Sequence, residues 1–186
     1  VKVLGIDPGS LKLGWGLVEY SQKKMSYCDS GVLIFNQKIE FIDRMFDIKK
    51  EFELLVNKIN PDIIALESLI FVKSPTALIK LSQTRGLIIS VLIEKYKGKI
   101  FEYSPNLIKS STTGHGHASK ESVQKFLSMQ LGVKEFDKDD ESDALAIAVC
   151  HVLNNPRNQN FQNIMTKGKN RSIASAVKHK IKEVNL

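Results

Sequence analysis

Residues 1–16 read VKVLGIDPGSLKLGWG, an apolar run through Val1, Val3, Leu4 and Ile6 that ends on Asp7 before Pro8, Gly9 and Ser10 turn the chain. A run of this kind is a buried strand. A carboxylate at its carboxyl end is either held by hydrogen bonds or put to chemical use. Working outward, Leu13 to Tyr20 and Met25 to Phe35 continue as strands, the latter with Gly31 inside, and the short connections predict an antiparallel meander.

Beyond the meander the pattern changes to helix alternating with strand. Ile42, Met45, Phe46, Phe52, Leu55, Val56 and Ile59 recur at helical spacing, predicting a helix from Ile39 to Ile59 that stops at Asn60, Pro61 and Asp62. Ile63 to Leu66 is a short strand that also runs into a carboxylate, Glu67. Ser74 and Pro75 open a long helix to about Tyr96. Its central Gly86 costs about 1 kcal/mol relative to Ala, which calls for close packing as compensation. Ile100 to Tyr103 is a fifth strand, and Pro105 to Lys109 a short helical turn. SSTTGHGHASK predicts a mobile loop from Ser110 to about Ala118; Ser119 then caps a helix with Val123, Phe126, Leu127 and Met129 on its apolar face. After an acidic loop from Lys134 to Glu141, DALAIAVCHVL forms a largely apolar helix.

The order of elements predicts an α/β protein, a mixed five-stranded sheet flanked by helices on both faces. A length of 186 residues, 42% of them hydrophobic, suits one domain over residues 1–154. The stretch 155–186 is poor in apolar anchors and basic, and Ile173, Ala176, Val177, Ile181 and Val184 are spaced for one amphipathic helix within it.

A net charge of +7, from 27 Lys and Arg against 20 Asp and Glu, favours a polyanionic partner such as nucleic acid, although a basic surface alone would give the same count. The two cysteines, Cys28 and Cys150, lie in apolar stretches far apart and outline no disulfide framework. No signal-peptide pattern opens the sequence, and no apolar run reaches the roughly 18 residues of a membrane span. A soluble, cytoplasmic protein is expected.

Acids stand at three places a core would reject: Asp7 and Glu67 at strand ends, and Asp140 with Asp143 at a helix start, three apart and so on one helical face. If the two strands are neighbours, all four converge on one rim. Crowded carboxylates repel and need a counter-cation; hard oxygen ligands suit Mg²⁺ or Mn²⁺. In a basic protein this chemistry points to phosphodiester hydrolysis by two metal ions. The structural alternatives stay open: a turn carboxylate at Asp7, an N-cap at Asp140, a partner of the helix dipole at Asp143. Glu135, Asp137, Asp139 and Glu141 read as solvated loop acids.

Four blocks, LGIDPGS, ESLIFVKSPTALIKLSQTRG, TTGHGHASK and DESDALAIAVCH, taken in order from Val1 to about Leu153, resemble the RuvC family of Holliday-junction resolvases. The resemblance implies a ribonuclease H-like fold and a homodimer that nicks four-way junction DNA symmetrically with Mg²⁺, about two ions per site. It implies a role in homologous recombination and repair, products with 5′-phosphate and 3′-hydroxyl ends, and work beside a branch-migration complex of the RuvA and RuvB type. By position it makes Asp7, Glu67, Asp140 and Asp143 the catalytic metal ligands and Lys109 and Lys120 the basic residues of cleavage. Ile70, Phe71, Lys73, Arg85, Lys109, His115, His117 and Lys120 are the DNA contacts it implies. Ile70 stands where the family carries a junction-stacking aromatic, with Phe71 beside it. The Gly86 helix resembles the family's dimer helix. His151, on an apolar helix, reads as a packing residue.

Three other readings compete. One is another nuclease of the same fold acting on branched DNA or RNA. A second is an ATP-binding protein of the actin and sugar-kinase type, disfavoured because no second phosphate turn follows Glu67. The third is a non-catalytic junction binder, disfavoured because a DNA binder gains nothing from acids set against phosphates.

Overall fold

The computed structural model describes residues 1–69, 74–133, 136 and 138–155. Ile70, Phe71 and Lys73, the loop acids Glu135 and Asp137, and the basic stretch from residue 156 onward lie outside the described residues. Five strands, β1 (Lys2–Asp7), β2 (Lys12–Ser21), β3 (Lys24–Ile34), β4 (Ile63–Glu67) and β5 (Ile100–Tyr103), form one sheet in the order β3-β2-β1-β4-β5. β1, β2 and β3 pair antiparallel as the expected meander, while β4 and β5 add on in parallel. The helices are α1 (Phe41–Ile59), α2 (Pro75–Leu92), α3 (Pro105–Thr113), α4 (Lys120–Leu131) and α5 (Asp139–Asn154).

Strand alternation assigns each residue to a layer. Leu4 and Ile6 of β1 and Ile64 and Leu66 of β4 pack with Ile48, Phe52, Ile88 and Leu92 of α1 and α2. Val3 and Ala65 face the other way, into a second core built around Leu145, Ile147 and Val149 of α5 and Leu127 of α4. The expected two-faced sheet is therefore observed, and by the same alternation Asp7 and Glu67 fall on the α5 side.

Small residues let α5 lie close on the sheet. A Cβ on Gly5 would run into the Ala144 carbonyl oxygen and the Ala148 amide, and one on Gly14 into the Asp140 carbonyl oxygen. Deleting these methyl groups lowers the helix onto β1 and β2, so that its first turn reaches the carboxyl end of β1.

Several local expectations need correction. The segment Ser110–Thr113 is the last turn of α3, not loop: its hydroxyls bond carbonyls one turn back, Ser111 and Ser110 to Leu107, Thr112 to Ile108 and Thr113 to Lys109, which satisfies them inside the helix. The loop shrinks to the stretch after the αL cap Gly114. Helix α5 starts at Asp139 with Lys138 at its N-cap, so Asp139, Asp140 and Glu141 are first-turn residues and Asp140 is not a cap. On α1 the buried stripe runs through Phe41, Arg44, Ile48, Phe52 and Val56, leaving Ile42 (62%) and Phe46 (73%) exposed on its flank. Met129 of α4 is likewise exposed at 79%. A Cβ on Gly86 would meet nothing within 4 Å, so the expected packing against it does not come from the described part of this chain. Cys28 is exposed on β3, whereas Cys150 is buried.

Candidate active site

β1 and β4 pair in parallel with Ile6 opposite Leu66, so the next residue of each, Asp7 and Glu67, leaves the same end of the sheet side by side. Helix α5 brings Asp140 and Asp143 to that rim. Burial, then the like charges of Glu67, Asp143 and Asp140, pushes the Asp7 carboxyl up to about 7 against the pull of Lys120. Burial followed by the charge of Asp143 raises Glu67 too, with Lys109 opposing. The four expected acids thus share one electrostatic field, each felt at Asp7.

Lysines supply the local positive charge. Lys120 Nζ donates to Asp143 Oδ2 at 2.9 Å and lies 3.4 Å from Asp139, while Lys12 Nζ is 3.9 Å from Asp140 Oδ2. Burial works against the charge on Lys120, but its bond to Asp143 and the charges of Asp143 and Asp139 outweigh this and leave its pKa raised. Lys109 and Lys120 join Glu67 and Asp143 around a pocket of about 300 Å³ floored by Ile108, Val123 and Ile147. Both lysines thus lie beside two of the expected acids.

One residue of this neighbourhood escaped the sequence reading and another was read differently. Arg44 is buried on α1 and donates to the carbonyls of Ser10, Asn36, Gln37 and Ile39, holding the turn that follows Asp7. Its position on the buried stripe of α1 was the available signal. Glu141, expected to be a solvated loop acid, instead sits in the first turn of α5 and accepts from Ser30 Oγ at 2.5 Å, tying the start of that helix to β3.

The other expected residues divide. His115 and His117 are exposed in the loop between α3 and α4. Arg85 is turned away from solvent, its side chain 12% exposed and paired with Glu102 at 2.8 Å, which does not suit the DNA contact expected of it. His151 is a packing residue: its Nδ1 meets the Tyr103 hydroxyl at 2.7 Å, its ring lies 4.7 Å from that of Phe101, and burial lowers its pKa to about 4.

The donors at the rim are all carboxylate oxygens, two of them on acids whose ionisation the protein itself disfavours, a set that suits a hard divalent cation. Among the described residues no three His, Cys, Asp or Glu side chains are gathered around a single ion-binding point. In this arrangement the ammonium groups of Lys120 and Lys12 offset the charge at Asp143 and Asp140.

The sheet order, with acids ending β1 and β4 and opening α5 across them, defines an α/β protein of ribonuclease H-like fold. The family model for crossover junction endodeoxyribonuclease RuvC matches residues 3–151. The chain belongs to the RuvC family. A crossover junction endodeoxyribonuclease RuvC from Caldanaerobacter subterraneus subsp. tengcongensis is 36% identical over 157 residues, 83% of this chain and 94% of the relative. One from Endomicrobium trichonymphae is 37% identical over 172 residues, 90% of each chain. Among solved structures, T. thermophilus RuvC in complex with Holliday junction substrate aligns with a TM-score of 0.74 at 28% identity, over 82% of this chain and 93% of that one. The yeast mitochondrial Holliday junction resolvase Ydc2 shares the fold, with a TM-score of 0.66 at 18% identity over 90% of this chain and 84% of its own.

Among the described residues no helix is long and apolar enough to cross a membrane.

Proposed function

We propose that this chain resolves four-way DNA junctions in homologous recombination and repair. It hydrolyses one phosphodiester in each of two opposed strands and leaves 5′-phosphate and 3′-hydroxyl ends. The observation that carries this reading is the convergence of Asp7, Glu67, Asp140 and Asp143 on one rim of a basic protein, with Asp7 raised to about 7. The names of the relatives and the Holliday junction bound to the T. thermophilus protein support the substrate.

In this reading the four acids hold Mg²⁺, about two ions per site, with Mn²⁺ able to substitute. When bound, the ions supply activation of water and neutralisation of the leaving 3′ oxygen. The chain's own residues do the rest. Asp7 and Glu67 are fixed by paired strand ends and Asp143 by a helix packed on those strands, so the acids are preorganised. Lys109 and Lys120, on the pocket shared with Glu67 and Asp143, offset the charge that develops on the phosphate. His115 and His117, with Ile70, Phe71 and Lys73, contact the junction. The exposed face of α2, with Gly86 open and Ile79 and Ile93 uncovered, is the dimer surface, which gives one site to each of the two cut strands. Residues 1–154 make up the nuclease domain, and the basic stretch 155–186 adds DNA affinity. A cytoplasmic setting, with a branch-migration complex moving the junction, completes the proposal; the free Cys28 and Cys150 suit that reducing compartment.

The test is cleavage mapped strand by strand on fixed and mobile synthetic junctions with Mg²⁺. Paired symmetric nicks are expected from the natural chain, and binding without cutting from Asp7→Asn. Wild-type cutting by Asp7→Asn overturns the proposal. Preference for a duplex or an RNA–DNA hybrid instead selects the other ribonuclease H-like nuclease reading.

A further inference from the structure

Arg85 of α2 reaches the sheet rim from behind the site. Its Nε donates to the Glu67 carbonyl oxygen at 3.4 Å, a long bond, and its Nη2 lies 2.8 Å from Glu102 Oε1 of β5. Nη2 is buried and makes no aligned hydrogen bond, so its contact with Glu102 is an ion pair. The strands explain why the guanidinium finds both partners. β4 and β5 run parallel with Leu66 opposite Glu102 and Glu67 opposite Tyr103. Ile100 packs in the core under α1 and α2, so alternation turns Glu102 to that same face. Glu67 alternates with Leu66 and points its carboxylate to the opposite face, toward α5. Arg85 therefore takes hold of the backbone of Glu67 from the face its carboxylate avoids. The following amide is braced as well, Ser68 N donating to Tyr103 O at 2.8 Å.

We infer that Arg85, anchored by Glu102, is a positioning residue that fixes the end of β4 and thereby the carboxylate of Glu67. The inference rests on the proposed role of Glu67 as a metal ligand. It replaces the DNA contact expected of Arg85 with an action through the strand. Groups that orient a ligating carboxylate govern its metal affinity without touching the metal. The planar guanidinium reaches the Glu67 carbonyl oxygen through Nε and pairs with Glu102 through Nη2 at the same time, whereas a lysine ammonium is a single point charge on a flexible stem and does not hold both.

The test uses the full chain with Arg85→Gln, Arg85→Lys, Glu102→Gln and Glu67→Gln. Mn²⁺ binding is titrated by the electron paramagnetic resonance of the free ion, and junction affinity is measured with metal chelated. Arg85→Gln and Arg85→Lys are expected to raise the Mn²⁺ concentration at half-saturation about tenfold, with junction affinity unchanged. Glu102→Gln shifts it in the same direction by less, and adds nothing in the Arg85→Gln background. A folded Arg85→Gln protein with wild-type Mn²⁺ binding overturns the inference. So does one that loses junction affinity while keeping its metal, because that is a DNA contact. Should Arg85→Gln fail to fold, Glu102→Gln, altered at a side chain 51% exposed, decides alone, and wild-type Mn²⁺ binding there is equally fatal. Glu67→Gln separates the two levels. If it binds Mn²⁺ and cuts as wild type, the ligand role of Glu67 fails; if it does neither while the Arg85 and Glu102 variants behave as wild type, only the positioning role fails.

Discussion

Gly14 of β2 lies directly beneath Asp140 of α5, so close that a methyl group on Gly14 would overlap the Asp140 carbonyl oxygen. In the strand register Gly14 is also the partner of Asp7. Together with Gly5 of β1, this missing side chain sets how closely the helix that carries the last two acids approaches the strand that carries the first. Gly14→Ala is expected to lift the start of α5, to cost about 1–3 kcal/mol through overpacking, and to abolish junction cutting. Denaturant unfolding and a cleavage assay check both. Wild-type cutting by a stable Gly14→Ala protein would mean that the height of α5 is unimportant.

Asp7 makes the metal-free protein sensitive to pH. The carboxyl titrates at 3.8 when unperturbed and at about 7 in the fold, because burial and its acidic neighbours disfavour the charge. Below the lower value both states hold the proton; between the two values only the folded state keeps it. Stability is thus fully present in acid, falls as pH rises through this window, and is level above it. At about 1.4 kcal/mol per unit the loss has an upper bound of about 4 kcal/mol, shared with the coupled Glu67. Asp7→Asn removes it. With metal chelated, the variant is expected to melt higher than wild type at about pH 8 and to lose most of that advantage at about pH 4. An equal gain at both pH values would sever the link to ionisation.

Much of this arrangement was legible because period-two and period-three patterns survive in a single sequence. Apolar strands that run into Asp7 and Glu67, and the spacing of Asp140 and Asp143, mark the acids before any fold is known. The approach of α5 was less legible. It depends on Gly5, Ala65 and Gly14 lying on one sheet face opposite Ala144 and Ala148, a relation that exists only after strands and helix are layered. Ser110 to Thr113 misled for a different reason: hydroxyl groups that favour loops in isolation can bond carbonyls one turn back once Ser104 and Pro105 have started a helix. Arg85, expected to contact DNA, instead finds Glu102 on a strand remote in sequence, and Arg44 drew no reading because its acceptors are carbonyls of the turn at Ser10 and of the segment just before α1, which become neighbours only in the fold.

Lys120 competes with any cation for Asp143, its ammonium lying 2.9 Å from Oδ2. Removing it has opposite effects on binding and on chemistry. Lys120→Met is expected to bind Mn²⁺ more tightly in the absence of DNA, because the carboxylate loses its resident partner. On a junction it should cut about a hundredfold more slowly, through loss of a positive group beside the phosphate. Metal titration and single-turnover cleavage measure the two separately. A variant that loses metal affinity would show Lys120 to be a support for Asp143 and not its competitor.

His151 shares α5 with Asp143 but is assigned to the core, and that assignment is testable. Its Nδ1 pairs with the Tyr103 hydroxyl at 2.7 Å, and burial lowers its pKa from 6.5 to about 4. For a base whose folded pKa is depressed, the contribution to stability is complete above the unfolded value and is lost as pH falls through the folded one. The protein should therefore weaken between those values as the unfolded chain takes up a proton the folded chain refuses. Tyr103→Phe removes the hydroxyl and leaves a buried ring nitrogen without that partner, which is expected to cost about 1–3 kcal/mol of stability. Junction cutting at about pH 8, well above the titration of His151, should keep its wild-type rate, because neither ring belongs to the four-acid rim. A Tyr103→Phe protein that unfolds like wild type yet cuts slowly would move His151 out of the core and into the chemistry.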